Sequence, residues 1–373
     1  MKTKYYLPLL LLLSFCSQPQ EMSSLKETYD ESFTIGVALG DDIITSQDSQ
    51  IHTMINREFN SVVAENCMKS EVIQPSEGEF DFTQSDRFVD FGMQNNMEII
   101  GHTLIWHSQA PPWFFTDSSG ADVSREIMIG RMENHINNLV GRYKGKVYGW
   151  DIVNEAVDDS GELRKSKFHQ IIGEDYIELA FKFAHNADPL AKLFYNDYNL
   201  WKPERRDGTI ELMKGLQEKG IPVHGLGMQA HWGLDTPFDL VEKSIVEFSK
   251  LGIDIMLTEL DITAIPFPSE ELTADISTNY EYLEKYNPYP ESLPDSVQTQ
   301  LSKKYSDLFD ILLRYQDVIS RVTFWGLNDS TTWRNNWPVK GRVDYPLLFD
   351  KNNQPKPAYF SVIEAAKNNL GNN

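Results

Sequence analysis

A short apolar run that closes in polar or aromatic residues, followed by a stretch of helical period, recurs eight times between residues 33 and 328. The apolar runs fall at residues 33–39, 59–65, 98–107, 147–155, 192–197, 223–231, 255–261 and 322–328. Their interiors are almost continuously apolar, as in parallel strands covered on both faces. Helical spacing marks 124–143, 175–186, 205–219, 238–250 and 299–315, and Gly220 and Gly252 stand where two of these helices should stop. Eight βα units in series predict a single-domain α/β fold, a (β/α)8 TIM barrel over residues 33–370. The competing arrangement, a doubly wound open sheet, would place a glycine-rich phosphate loop after the first strand, and none is there.

The 373 residues, 41% of them hydrophobic, suffice for one large core. A net charge of −21 argues against a nucleic-acid partner, which needs the opposite sign to neutralise phosphates, and suits a neutral substrate. The ends and one loop stand apart from the repeat. Lys2 and Lys4 precede an apolar stretch with five leucines in a row, Leu9 to Leu13, too short to span a bilayer and typical of a signal peptide. Cys16 closes it, with Phe15 where a lipoprotein box carries a small residue. The reading is a lipoprotein-type signal over 1–16 with Cys16 lipidated and a polar tether over 17–32. The chain would then be exported and membrane-anchored at the cell surface or in the periplasm, or secreted if the signal is simply cleaved. Cys67 is the one other cysteine, so no internal disulfide is expected in the mature chain. Residues 263–298 form a long insertion after the seventh strand, rich in proline and in Tyr280, Tyr282, Tyr286 and Tyr289; it is either functional or a surface excursion.

A (β/α)8 barrel carries its active site at the C-terminal ends of its strands. The residues closing those strands are Glu65, Asn66 and Lys69; His102 and Trp106; Asn154 and Glu155; Asn196, Tyr198 and Asn199; Gln229 and His231; Glu259 and Asp261; and Trp325, followed by Trp333 and Trp337. Glu155 and Glu259 come from strands across the barrel mouth from each other. Glycoside cleavage requires such a pair, one carboxyl kept protonated for the leaving group and one ionised. Glu155 follows Asn154, an amide suited to a sugar hydroxyl, and takes the acid/base role. Glu259 has Gln229 and His231 on the neighbouring strand. A histidine beside a carboxylate favours its charged form, so Glu259 takes the nucleophile role. Asp261, on the same side by strand alternation, can anchor His231. A glutamate at a strand end is more often a salt-bridge partner or a cap. The convergence of amides, histidines and tryptophans on two of them outweighs that reading. No metal-ligand spacing such as HExxH occurs, and the chemistry calls for neither metal nor cofactor.

Five runs, 101–109 (Gly-His-Thr-Leu-Ile-Trp-His-Ser-Gln), 150–156 (Trp-Asp-Ile-Val-Asn-Glu-Ala), 227–231 (Gly-Met-Gln-Ala-His), 258–262 (Thr-Glu-Leu-Asp-Ile) and 323–326 (Thr-Phe-Trp-Gly), resemble family ten of the glycoside hydrolases. They stand in that family's order, and the resemblance covers residues 33 to 365. It implies a retaining endo-β-1,4-xylanase acting on xylan or xylo-oligosaccharides, with Glu155 as acid/base and Glu259 as nucleophile. It further implies that Asn154, His102, Trp106, Gln229 and His231 hold the sugar at the cleavage site. Glu65, Asn66, Lys69 and Gln109 would form the neighbouring glycone subsite, Trp325 and Trp333 would stack on the rings, and Tyr198 and Asn199 would face the leaving group. A β-1,4-glucanase on the same barrel and a non-catalytic glycan-binding lipoprotein are the rival expectations. A monomer is the default, since no residue pattern argues for an oligomer.

Overall fold

The computed structural model describes residues 23–268 and 280–370. Eight parallel strands close into a barrel: β1 (Thr34–Leu39), β2 (Ser61–Ala64), β3 (Glu98–Gly101), β4 (Gly149–Asn154), β5 (Lys192–Asp197), β6 (Gly225–Met228), β7 (Asp254–Thr263) and β8 (Ile319–Phe324). Each pairs with its neighbours in sequence, and β8 closes on β1 with Ile35 opposite Val322. That last ladder excludes an open sheet.

Side-chain parity sorts the core into two. Ile35, Val37 and Leu39 of β1, Leu193 and Tyr195 of β5, and Ile255 and Leu257 of β7 join the main apolar cluster shared with the helices. The alternate residues Ala38, Val63, Ile100, Phe194 and Met256 form a second cluster, the barrel interior, completed by Trp325. The period of two in a strand thus runs along staves with no wet face. Glycine is required where large groups pack against either face of the barrel wall. A Cβ on Gly101 would lie 2.1 Å from the Trp150 ring, and one on Gly227 would lie 2.3 Å from Asn196 Oδ1.

The helices Arg125–Arg142, Tyr176–Ala187, Pro203–Glu218, Phe238–Ser249 and Asp295–Arg314 fall where the helical period places them. Ser124 caps the first by accepting from Ile127 N. Gly220 and Gly252 each take φ +68, the left-handed conformation that ends a helix.

Three expectations need correction. The strand read over 98–107 breaks after Gly101, and Ile105–Trp106 rejoins by pairing with Val153 and Asn154. The strand read over 223–231 also breaks, because Ala230 takes φ +67; His231–Gly233 resumes alongside Asp261–Thr263. Residues 24–29, read as part of a polar tether, are folded. Leu25–Thr28 is a helix with a Ser24–Glu27 capping box, and Leu25 and Tyr29 are fully buried. Tyr29 donates to Val362 O, and Glu58 accepts from Leu25 N and Tyr359 Oη, clasping this segment to the C-terminal helix. Residues 1–16, with Cys16, lie outside the described residues, as does 269–279 within the insertion.

Candidate active site

Glu155 directly follows β4, and its N–H donates to Asn196 O across the barrel rim. It holds φ +60, which is costly for a residue with a Cβ and aims the side chain over the barrel mouth. Arg164 Nε donates to its carbonyl at 2.9 Å and secures that turn. The carboxyl accepts from Trp106 Nε1 at 2.9 Å and from Gln229 Nε2 at 3.0 Å. Burial, reinforced by the charge of Asp197, lifts its pKa to about 7 despite these donors.

Glu259 lies within β7 and is as deeply buried, at 5% exposure. Its surroundings differ. Asn196 Nδ2 donates to Oε1 at 2.7 Å, and His231 Nε2 stands 3.0 Å from Oε2. Burial again acts upward, but the hydrogen bond from His231 and the fields of His102 and His231 outweigh it and hold Glu259 below the ordinary glutamate range. His231 is in turn bonded through Nδ1 to Asp261 at 3.0 Å. Burial opposes protonation of the imidazole, yet Asp261 and Glu259 raise it to about 9. Asp261 accepts from Trp333 Nε1 and Arg334 Nε, and despite burial the charges of Arg334 and His231 pull it down to about 2.

The two glutamates therefore share a site and titrate in opposite directions. They are linked through a polar chain. Gln229 Nε2, bonded to Glu155, lies 3.2 Å from the Asn154 amide, which is 3.0 Å from Asn196 Nδ2, which reaches Glu259.

Both face a cleft of about 290 Å3. Its walls bring together Glu65, Asn66, Lys69, His102, Trp106, Gln109, Asn154, Tyr198, Gln229, His231, Trp325 and Trp333, together with Asn199 and Trp337. Lys69 sits within it, donating to Asn66 Oδ1 and Gln109 Oε1 and lying 5.2 Å above the Trp106 ring. Burial lowers the Lys69 pKa against the pull of Glu259, Glu65 and Glu155. Glu65 beside it is raised by burial, with Lys69 opposing. His102 Nδ1 bonds Asp151 at 2.9 Å, and its ring meets the Trp325 edge at 5.2 Å. Asp261 stands behind the wall, out of the cleft, and acts on it through His231 and Trp333.

Some residues of the site were given no role by sequence. Asn196 touches Glu259 and Asn154 and is held by Thr258 Oγ1 at 2.6 Å; as a polar residue closing β5 it carried the same signal as Gln229. Asp197, paired with Arg205 at 2.8 Å and fully buried, acts on Glu155 by its charge. Arg334 and Trp337 come from an irregular loop after β8, where no periodicity points at the cleft.

Comparison with known proteins agrees with this arrangement. The family model for glycosyl hydrolase family 10 matches residues 24–365. Endo-1,4-beta-xylanase A of Xylanibacter ruminicola is 44% identical over 356 residues, 95% of this chain and 96% of that protein. A solved GH10 endoxylanase from a sugarcane soil metagenome superposes with a TM-score of 0.89 at 42% identity, over 91% of this chain and 99% of that one. A mutant of an intracellular xylanase from Thermoanaerobacterium saccharolyticum, solved with xylotriose, matches with a TM-score of 0.80 at 34% identity, over 92% and 99%. With the barrel, the glutamate pair and the match over almost its whole described length in agreement, the chain belongs to glycosyl hydrolase family 10.

Proposed function

We propose that this chain is a retaining endo-β-1,4-xylanase that cleaves internal xylosidic bonds of xylan, with Glu259 as nucleophile and Glu155 as acid/base. The observation that carries the reading is the pair of equally buried glutamates facing one open cleft with opposite surroundings, Glu155 bonded to the neutral groups of Trp106 and Gln229 and Glu259 to His231 and Asn196, so that burial lifts Glu155 to about 7 while His231 holds Glu259 down. One carboxyl is thereby a proton donor at neutral pH and the other an anion.

In the first half-reaction a Glu259 oxygen bonds to the anomeric carbon as the glycosidic bond breaks. Glu155 delivers its proton to the departing oxygen. In the second half-reaction the Glu155 carboxylate takes a proton from water, whose oxygen displaces Glu259 from the anomeric carbon. Two inversions leave the configuration unchanged. Ester formation also removes the Glu259 charge, one of the influences that raise Glu155, which favours the switch from acid to base. Trp325, Trp333 and Trp337 offer flat faces to the C–H surfaces of xylosyl rings, and Lys69, Asn66 and Gln109 offer polar groups to the hydroxyls on the glycone side.

The test is proton NMR of xylohexaose from the first minutes of hydrolysis. New reducing ends should appear as β-anomers and only later mutarotate. Rapid turnover of carboxymethyl cellulose without turnover of xylan would displace the substrate assignment.

The membrane anchor belongs to the same proposal and is supported by the leader ending at Cys16. Expression with labelled palmitate should label the chain, and Cys16→Ser should abolish the label; an unlabelled wild-type chain would leave a cleaved, secreted form.

A further inference from the structure

The loop after β8 that carries Trp333 and Trp337 has no helix or strand between Thr331 and Tyr345 beyond one bridge from Val339 to Tyr280, so its place at the cleft depends on individual ties. Among these is Arg342, 1% exposed. Its guanidinium donates to Pro266 O at 2.8 Å and Ile265 O at 3.1 Å, at the start of the insertion after β7, and to Tyr286 O at 3.4 Å, further along it. On its own loop it pairs with Asp344 at 3.1 Å, and Asp344 also accepts from Thr263 Oγ1, the last residue of β7. One planar cation thus joins two points of the insertion to the β8 loop and to the end of β7, a use for which a fork of fixed donors is suited and a lysine is not.

The remaining contacts run the same way. Asn287 accepts from Val343 N and donates to Gly341 O, and Tyr280 N donates to Pro338 O. Phe267 of the insertion packs on Trp337 at 5.4 Å, and Trp337 packs on Trp333 at 4.6 Å. The insertion is therefore fastened behind Trp337 of the cleft wall.

We propose that Arg342 is a positioning residue that locks the insertion onto the β8 loop, and that this lock holds Trp337 as the outer wall against which a long xylosyl chain stacks. The inference rests on the reading of the cleft as a xylan site. It assigns the insertion a part in binding long substrates, with none in bond cleavage, since Arg342 touches neither glutamate.

The experiment compares the full chain with Arg342→Met and Arg342→Lys on two substrates, xylohexaose and an aryl β-xylobioside short enough to stay beside Glu155 and Glu259. Arg342→Met should raise KM for xylohexaose about tenfold, the worth of one stacked ring. Its kcat, and its kcat/KM on the aryl glycoside, should stay within about twofold. Arg342→Lys should recover only part of the loss. Hydrogen exchange should quicken in 280–290 and 336–343 and not in the barrel strands. Should Arg342→Met not fold, Asn287→Ala, which cuts two ties outside the charged pair, carries the same expectations. An unchanged KM for xylohexaose, or an equal loss on both substrates, overturns the proposal. If the wild-type chain turns over neither substrate, the functional reading has failed instead. The exchange data then still decide the lock: quickened exchange in both segments keeps it, and unchanged exchange overturns it.

Discussion

His231 stands between Glu259 and Asp261, with Nε2 3.0 Å from one carboxylate and Nδ1 3.0 Å from the other. The order of charge along this line decides the roles of the two glutamates. Arg334 holds Asp261 ionised, Asp261 and Glu259 hold His231 protonated, and His231 helps hold Glu259 ionised inside a buried site. Among the described residues no cation is bonded to Glu155, so burial prevails there.

Asp261→Asn should therefore act through His231. With the anchor neutral, the imidazole loses its largest upward influence and Glu259 loses part of its counter-charge. The acid limb of the kcat/KM profile should move up by about one pH unit, equivalent to about 1.4 kcal/mol. An acid limb in the wild-type position would refute the relay.

The alkaline limb should report Glu155. Its protonated form is the working one, and its folded pKa is raised, so activity is present below about pH 7 and falls as pH rises through that value. Glu155→Gln should remove this limb and slow xylan hydrolysis by about 10²–10⁴-fold. Aryl xylobiosides with strongly acidic leaving groups, which need no proton, should still form the glycosyl-enzyme at near wild-type rate. An alkaline limb that persists in the variant would assign it to another group.

Gly101→Ala tests the barrel packing. The added methyl would meet the Trp150 ring at 2.1 Å, in the apolar layer between barrel and helices, where Trp150 is 1% exposed. Overpacking should cost about 1–3 kcal/mol or more, read as a lower midpoint in denaturant. A midpoint equal to wild type would show that Trp150 yields easily.

A chain beginning at Phe33 tests whether residues 24–32 belong to the fold. It loses Leu25 and Tyr29, each fully buried, and the hydrogen bonds to Val362 and Glu58. At about 1.5–3 kcal/mol per large apolar side chain, its melting temperature should drop by several degrees. Unchanged melting would return residues 24–32 to the tether.

Much of this was legible in the sequence because repetition and chemistry coincide in a barrel. Eight apolar runs in series give the topology, and the rule that function sits where strands end then selects Glu155, Glu259, Gln229 and His231 from one chain. What stayed hidden depends on conformation and on long-range partners. No pattern marks Glu155 or Ala230 as left-handed, so the turn that aims the acid and the break before His231 were not visible. Arg334 and Arg342 lie in an irregular loop, where an arginine reads as surface charge until its buried partners Asp261 and Asp344 are seen. Leu25 and Tyr29 are isolated apolar residues in a polar stretch, below the reach of any periodicity.

The assignment of Glu259 can be tested by trapping. Incubation with an activated 2-deoxy-2-fluoro-β-xylobioside should stall the enzyme after the first half-reaction, and peptide mass mapping should find one fluoroxylobiosyl group esterified to Glu259. A label on Glu155 or on any other side chain, or none despite turnover of the unfluorinated sugar, would contradict the account.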